Sequence, residues 1–375
     1  MRSRKRVGPW AAGLALCAAT VAVALPQVAG AAARRAAPRT TSAAAHVTVW
    51  LPYWAMTSAL GSTLTNAATI GTASPYWYTI KGTSKVELAE DPSGAGGVSP
   101  AAVSQLTGSG VQVVPMVTED DGMAAFAKLV ASSTQRAAMV KALVGIASHT
   151  GYSGLDLDFE TLSYNPKHNR ALADQVAAGY PQLVAQVCGA LDAINRSCEV
   201  TVMPRTTPAH VWQHGDIATW VYDYGALARA ADRIQIMAYD DHSPGGASGP
   251  IAPLPWVRSV IAYARSVSPP ASDELGVPAY GYDWYTPTSA TAVLANQAAG
   301  LARKVHARIR WNATQGENTF TYKVHGTRHT VWYEGSQSDV QRARLASAAG
   351  FAGIAIWAGG YAAPNLWQQL QSIGD

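Results

Sequence analysis

Several classes of protein are ruled out by what this sequence lacks. Only three cysteines occur in 375 residues, none in a CxxC pair and none accompanied by a histidine pair, which argues against a structural zinc site. Beyond the first few residues there is no lysine or arginine cluster of the kind that marks a nucleic-acid-binding surface, so nucleic acid is not an expected partner. No repeat of fixed period and no Gly/Ser- or Pro-rich linker interrupts residues 46–375, so neither a solenoid nor a chain of small modules is expected there.

The amino terminus is a different kind of segment. Arg2, Arg4, Lys5 and Arg6 precede an apolar run from Trp10 to Val28, broken by Pro26 and followed by Ala29, Gly30 and Ala31. That is the layout of a secretory signal peptide over residues 1–33, removed on export rather than kept as a membrane anchor. These four basic residues equal the whole formal net charge of +4, so the exported chain is near neutral and its partners cannot be read from its pI. Residues 34–45, rich in Ala, Arg, Thr and Pro, read as a flexible mature N-terminus. Cys17 belongs to the discarded segment. Cys188 and Cys198 remain, ten positions apart in an exported chain, and are best read as one disulfide stabilising the fold by about 2 to 3 kcal/mol in the chain-entropy model. The expected protein is secreted, extracellular or associated with the cell wall, and monomeric.

From His46 onward, short apolar runs alternate with helix-like segments. Strands are predicted at Val47–Leu51, Thr72–Ile80, Val111–Val117, Ser153–Glu160, Glu199–Pro204, Arg233–Asp240, Leu275–Gly281 and Gly353–Trp357. Helical spacing appears over Thr134–Ser148, Ala171–Ile194, Gly225–Ala231, Trp256–Ala264 and Ser338–Ala349. Between Val305 and Glu334 the β-formers around the turn His325-Gly326-Thr327 read as a small insertion. Eight strands with helical crossovers predict a (β/α)8 barrel over residues 46–375, with one β-rich excursion between strands seven and eight.

The fourth strand carries the chemistry. In Gly154-Leu155-Asp156-Leu157-Asp158-Phe159-Glu160 the apolar residues fall on one face and Asp156, Asp158 and Glu160 on the other. Burying unpaired carboxylates costs several kcal/mol each, roughly, so three in five residues mark a functional site. Barrels build their sites at the carboxyl ends of strands, where Glu160, Met203, Tyr239, Asp240, Tyr280, Tyr282, Trp357 and Tyr78 also fall. Aromatic faces among hydrogen-bonding carboxylates suit a pyranose ring.

Ser153 to Glu160 resembles the DGxDxDxE strand of the family 18 glycoside hydrolases, the chitinase-like group, with Ser153 standing at the first acid. Gln235 to Asp240 resembles the family's QxMxYD pattern. Ala238-Tyr239-Asp240-Asp241-His242, Gly249 to Pro253 and Gly276 to Trp284 resemble the bacterial branch that contains spore-cortex-lytic and other peptidoglycan glucosaminidases. The resemblance implies a retaining hydrolase of chitin or peptidoglycan whose nucleophile is the substrate's own N-acetyl group, with no cofactor or metal. Glu160 is then the acid and base, its pKa raised by Asp158 and Asp156. Asp158 orients the acetamido N–H, Asp156 shares a proton with Asp158, and Tyr239 bonds the acetamido carbonyl. Trp357 stacks beneath the sugar, with Tyr78, Met203, Asp240, Tyr280 and Trp284 as further contacts.

Other readings of the same residues stay open. Three acids on a strand can hold Mg²⁺ or Ca²⁺. A chitinase-like lectin would use the same groove without hydrolysis, and a structural wall protein could borrow the fold. Trp54, Tyr76 and Trp77 read as packing, His242 as either a supporting group or a solvated loop residue, and Glu119-Asp120-Asp121 as a wet loop.

Overall fold

The first barrel strand hydrogen-bonds to both the second and the last, which leaves the main sheet no free edge on that side and closes it on itself. In this computed structural model residues 46–89 and 98–373 are described, all of them in a unit spanning Ser42–Asp375. The proposed signal segment, residues 1–33, and the N-terminal tail, residues 34–45, lie outside the described residues. The barrel strands are β1 (His46–Leu51), β2 (Thr72–Lys81), β3 (Met116–Glu119), β4 (Gly154–Asp158), β5 (Ser197–Val202), β6 (Arg233–Ile236), β7 (Asp273–Pro278) and β8 (Gly353–Trp357). Each pairs in parallel with its neighbours in chain order, and β1 pairs with β8 and β2. A (β/α)8 barrel is therefore the fold.

Alternation in β4 builds two cores at once. Leu155 and Leu157, fully buried, belong to the apolar shell between strands and helices. Asp156 reaches partners on β1, β2 and β5, which only an inward-pointing side chain can do. Gly154 permits the close approach of β5, because a Cβ there would stand 2.3 Å from the carbonyl oxygen of Ser197.

The third strand departs from expectation. Pro115 cannot donate to the ladder, so pairing splits into Gln112–Val113 and Met116–Glu119, and the β2–β3 register shifts between Tyr76 and Tyr78. On the sixth, the ladder stops at Ile236, and the chain turns out of the sheet toward Asp240, whose φ is +63°. The seventh ends at Pro278, earlier than predicted, and Tyr280–Trp284 joins a separate sheet.

That sheet is the β-rich excursion, larger than the sequence suggested. Five antiparallel strands run in the order Ala290–Leu294, Tyr280–Trp284, Thr327–Tyr333, Glu317–Val324, Arg310–Asn312. His325 and Gly326, with φ of +48° and +85°, form the two-residue turn joining the third and fourth of these. The helix Ala295–Lys304 covers one face, packing Ala298 and Ala302 against Phe320, Val331 and Tyr333. Arg342, on the helix Ser336–Ala349, ties the sheet to the barrel through Glu334 at 2.6 Å and the Gly316 carbonyl at 2.7 Å. The long helix Arg170–Asp192 is joined to β5 by the disulfide Cys188–Cys198, with Cα atoms 5.2 Å apart.

Candidate active site

A cavity of about 520 Å³ opens at the carboxyl ends of the strands, lined by Asp158, Glu160, Met203, Tyr239, Asp240, Tyr280, Tyr282 and Trp357 among others. Strand alternation brings Asp158 inward from β4, and Glu160 stands just past the strand end, where the chain turns into the short helix Thr161–Ser163.

Asp156 lies below the cavity and is fully buried. Its Oδ2 accepts from Trp50 Nε1 at 2.9 Å and Ser74 Oγ at 2.8 Å, and its Oδ1 accepts from Thr201 Oγ1 at 2.9 Å. Burial raises its pKa and those three donors oppose the rise. The expected shared proton with Asp158 has no geometric support here: among the described residues no hydrogen bond joins the two carboxyls, because β1, β2 and β5 occupy the oxygens of Asp156.

Asp158 is differently placed. Its Oδ1 is buried without a hydrogen-bond partner. Burial pushes its pKa well above the ordinary range, and the charges of Glu160, Asp156 and Glu119 push the same way. Glu160 is raised to about 7, mainly by burial and then by Asp240 and Glu119. The push expected from Asp158 and Asp156 thus comes chiefly from elsewhere. The charge of Glu160 is the largest electrostatic push on Asp158 after burial, so the charged form of each disfavours that of the other.

Glu119 corrects the wet-loop reading. Only 2% exposed, it accepts from Thr161 Oγ1 and Leu162 N, both at 2.6 Å, and from Asp121 N at 2.9 Å. It pins the turn that follows Glu160. Its backbone pairs in β3, so the strand carries it inward, which the charge run alone could not show.

Tyr239 leans over the cavity, and its hydroxyl has no protein partner among the described residues. Gly276 makes room for its ring, since a Cβ there would stand 3.0 Å from Tyr239 Cε1. Asp240 accepts from the hydroxyls of Tyr280 at 2.7 Å and Tyr282 at 3.1 Å, and burial raises its pKa to about 6. Trp357 floors the cavity, tilted against Trp50 and Trp54 with centroids 6.1 Å away in each case.

Two expected contacts do not reach the cavity. The register shift after Tyr76 turns Tyr78 to the outer core, where its hydroxyl meets that of Tyr152 at 2.8 Å. Trp284, 2% exposed, packs beside Ile251 and Tyr280 because its strand has already entered the second sheet. Conversely Trp54, read as packing, is 49% exposed and lines the cavity, donating to the Tyr361 hydroxyl at 2.8 Å. His214, Ile217 and Tyr361 also line it. All come from loops whose approach no periodicity announces. Trp50 carried a signal, being a tryptophan inside the first strand. His242 is held at the rim by the Pro250 carbonyl at 3.0 Å and Asp241 at 3.3 Å.

Buried carboxyls facing an aromatic-floored cleft at the carboxyl ends of barrel strands place the protein among the (β/α)8 glycosidases. The chain belongs to the Glycosyl hydrolases family 18, whose pattern matches residues 79–362. It is 26% identical over 249 residues to the uncharacterized glycosylase YvbX of Bacillus subtilis, covering 65% of this chain and 68% of that one. With the cortical fragment-lytic enzyme of Bacillus anthracis it shares 34% identity over 155 residues, 40% of this chain and 36% of the relative, so the chain spans little more than a third of that relative's length. Its fold matches the chitinase from Chromobacterium violaceum with a TM-score of 0.76 and 27% identity, over 88% of this chain and 98% of the other. The protein is a glycosyl hydrolase of the chitinase-like kind.

Proposed function

We propose that the protein is a secreted enzyme that cleaves β-linked N-acetylglucosamine polymers with retention of configuration, the substrate's acetamido group serving as nucleophile. The observation that carries this reading is the unpartnered, buried Oδ1 of Asp158 beside Glu160, facing a cavity onto which Tyr239 also opens. A lone buried acceptor costs stability unless a ligand donor reaches it, and an acetamido N–H is such a donor.

Glu160, with its pKa near 7, gives its proton to the glycosidic oxygen as the C–O bond breaks. The acetamido oxygen closes on C1 from the opposite face, giving a cyclic oxazolinium. Asp158 accepts the acetamido N–H and offsets the positive charge, while the Tyr239 hydroxyl orients the acetamido oxygen. Glu160, now a carboxylate, takes a proton from water as it attacks C1 and reopens the ring. Trp357 supports the sugar's apolar face. Export is supported by the amino-terminal pattern and by a disulfide suited to an oxidising compartment.

The test is hydrolysis of chitooligosaccharides and of purified peptidoglycan by wild type and by Glu160→Gln, with the anomeric product followed by NMR. Retained configuration from wild type alone is expected. Equal turnover by the variant, or comparable cleavage of sugars lacking the N-acetyl group, overturns the mechanism.

A further inference from the structure

The second sheet sorts its charges by burial. From Tyr285 to Ser338 the only carboxylates are Glu317 and Glu334, and both are fully buried, whereas Arg303, Lys304, Arg308, Arg310, Lys323 and Arg328 are all exposed. The surface of this segment is therefore positive with no acid to offset it. Arg303 and Lys304 close the helix Ala295–Lys304, where cations suit the carbonyl end. Arg310, Lys323 and Arg328 serve no such purpose, and among the described residues none of the three is in an ion pair.

Register shows where these three stand. Arg310 is opposite Thr319, Thr319 opposite Trp332, Trp332 opposite Tyr282, and Tyr282 opposite Ala292. Directly opposed residues share a face, so one row runs from Arg310 at the sheet's edge to Tyr282 and Ala292, which line the catalytic cavity. Lys323 and Arg328 oppose each other and, each four residues along its strand from a member of that row, lie on the same face. Three strand spacings separate Arg310 from Tyr282, about 14 Å at ~4.8 Å per strand. The other face is the one covered by the helix. Trp284 on this face is buried against Ile251, with Tyr282 and Trp332 half-buried beside it, so the face is exposed chiefly at Arg310, Thr321, Lys323 and Arg328, and it runs from the cavity wall to three unpaired cations.

We propose that this face is an extended subsite for an anionic glycan: a strand leaving the cleft past Tyr282 lies along the row, and carboxylates of the substituents on its outlying sugars meet Arg310, Lys323 and Arg328. The substrate class is then an aminosugar polymer bearing carboxylates, the glycan strand of peptidoglycan with the free acids of its stem peptides, or of its lactyl groups where no peptide is attached, in preference to neutral chitin. This inference rests on the glycosidase reading above and sharpens it. Rim charges of this kind act through salt-dependent attraction and partner discrimination rather than through the chemical step.

The experiment compares wild type with the triple variant Arg310→Gln/Lys323→Gln/Arg328→Gln on purified sacculi stripped of wall phosphate polymers, on the same sacculi with carboxyls amidated, and on chitotetraose. Binding is read by co-sedimentation in a Glu160→Gln background at low and high salt, hydrolysis in the active background. The expected result is a roughly tenfold loss of sacculus affinity and a matching rise in KM for the triple variant, since each surface charge contact contributes only a few-fold. The difference should vanish on amidated sacculi and at high salt, while kcat/KM on chitotetraose and the melting temperature stay at the wild-type values. Sacculus binding equal to wild type, an equal loss on chitotetraose, or a difference that persists after amidation each overturns the proposal. Should wild type cleave nothing while the charge-dependent binding is seen, the catalytic reading fails and the anionic subsite stands.

Discussion

Trp50 Nε1 donates to Asp156 Oδ2 over 2.9 Å, so a side chain from the first strand satisfies a carboxyl from the fourth inside the barrel. The same indole leans on Trp357, with centroids 6.1 Å apart. One residue thereby links the carboxyl beneath Asp158 to the aromatic floor. Trp50→Phe keeps a ring and deletes the donor. It is expected to destabilise the fold by about 1 to 3 kcal/mol, the usual cost of removing a partner from a buried polar group, and to lower kcat on chitooligosaccharides. Thermal denaturation and steady-state kinetics measure the two effects.

The pH profile follows from which form of Glu160 acts first. Burial raises its pKa to about 7, and the acid must carry its proton to start the reaction. Activity is therefore expected to fall as pH rises through about 7, with the basic limb of kcat/KM reporting Glu160 in the free enzyme. A limb near the ordinary carboxylate range would contradict this assignment.

Glu119 and Asp240 each hold the pKa of Glu160 up, so neutralising either is expected to move the basic limb to lower pH. Asp240→Asn keeps an oxygen that can accept from Tyr280 and Tyr282. Glu119→Gln places an amide where Asp121 N now donates, and it should also lower kcat at every pH by loosening the turn after Glu160. A Thr161→Val control removes one donor to Glu119 without changing charge, so kcat should drop while the limb stays in place.

Asp273 offers a test of stability alone. Burial raises its carboxyl to about 7 against an ordinary value of 3.8, with Ser268 Oγ donating to it at 2.6 Å. A folded-state pKa above the unfolded one means its favourable contribution is complete below about pH 4 and is lost as pH rises to about 7. Asp273→Asn should flatten that part of the melting-temperature profile, leaving the variant closer to wild type at pH 5 than at pH 8.

The disulfide closes a short loop between the helix Arg170–Asp192 and β5. Replacing Cys188 and Cys198 together by serine is expected to cost about 2 to 3 kcal/mol, read as a lower denaturation midpoint with kcat little changed.

The inward face of Asp158 was legible because strand alternation dictates it, whereas Glu160 and Tyr239 stand just past the ends of their strands and line the cavity from there. Tyr78 was misplaced because a register shift beside Pro115 reverses the alternation, and a one-residue slip sends a side chain to the other side of the sheet. Trp284 was misplaced because the seventh strand ends early and its continuation joins another sheet. Glu119 read as a solvated loop acid because its burial depends on the turn after Glu160, more than forty residues away.

The linear order of residues was enough for the barrel, its acidic fourth strand and the cysteine pair, since period-two alternation, turn residues and short separations act locally along the chain. Only the tertiary structure decided which charges raise Glu160, which aromatics reach the cavity and that Arg310, Lys323 and Arg328 lie on the sheet face that continues from its wall. Electrostatic fields and strand pairing act between atoms close in space, whatever their distance along the chain.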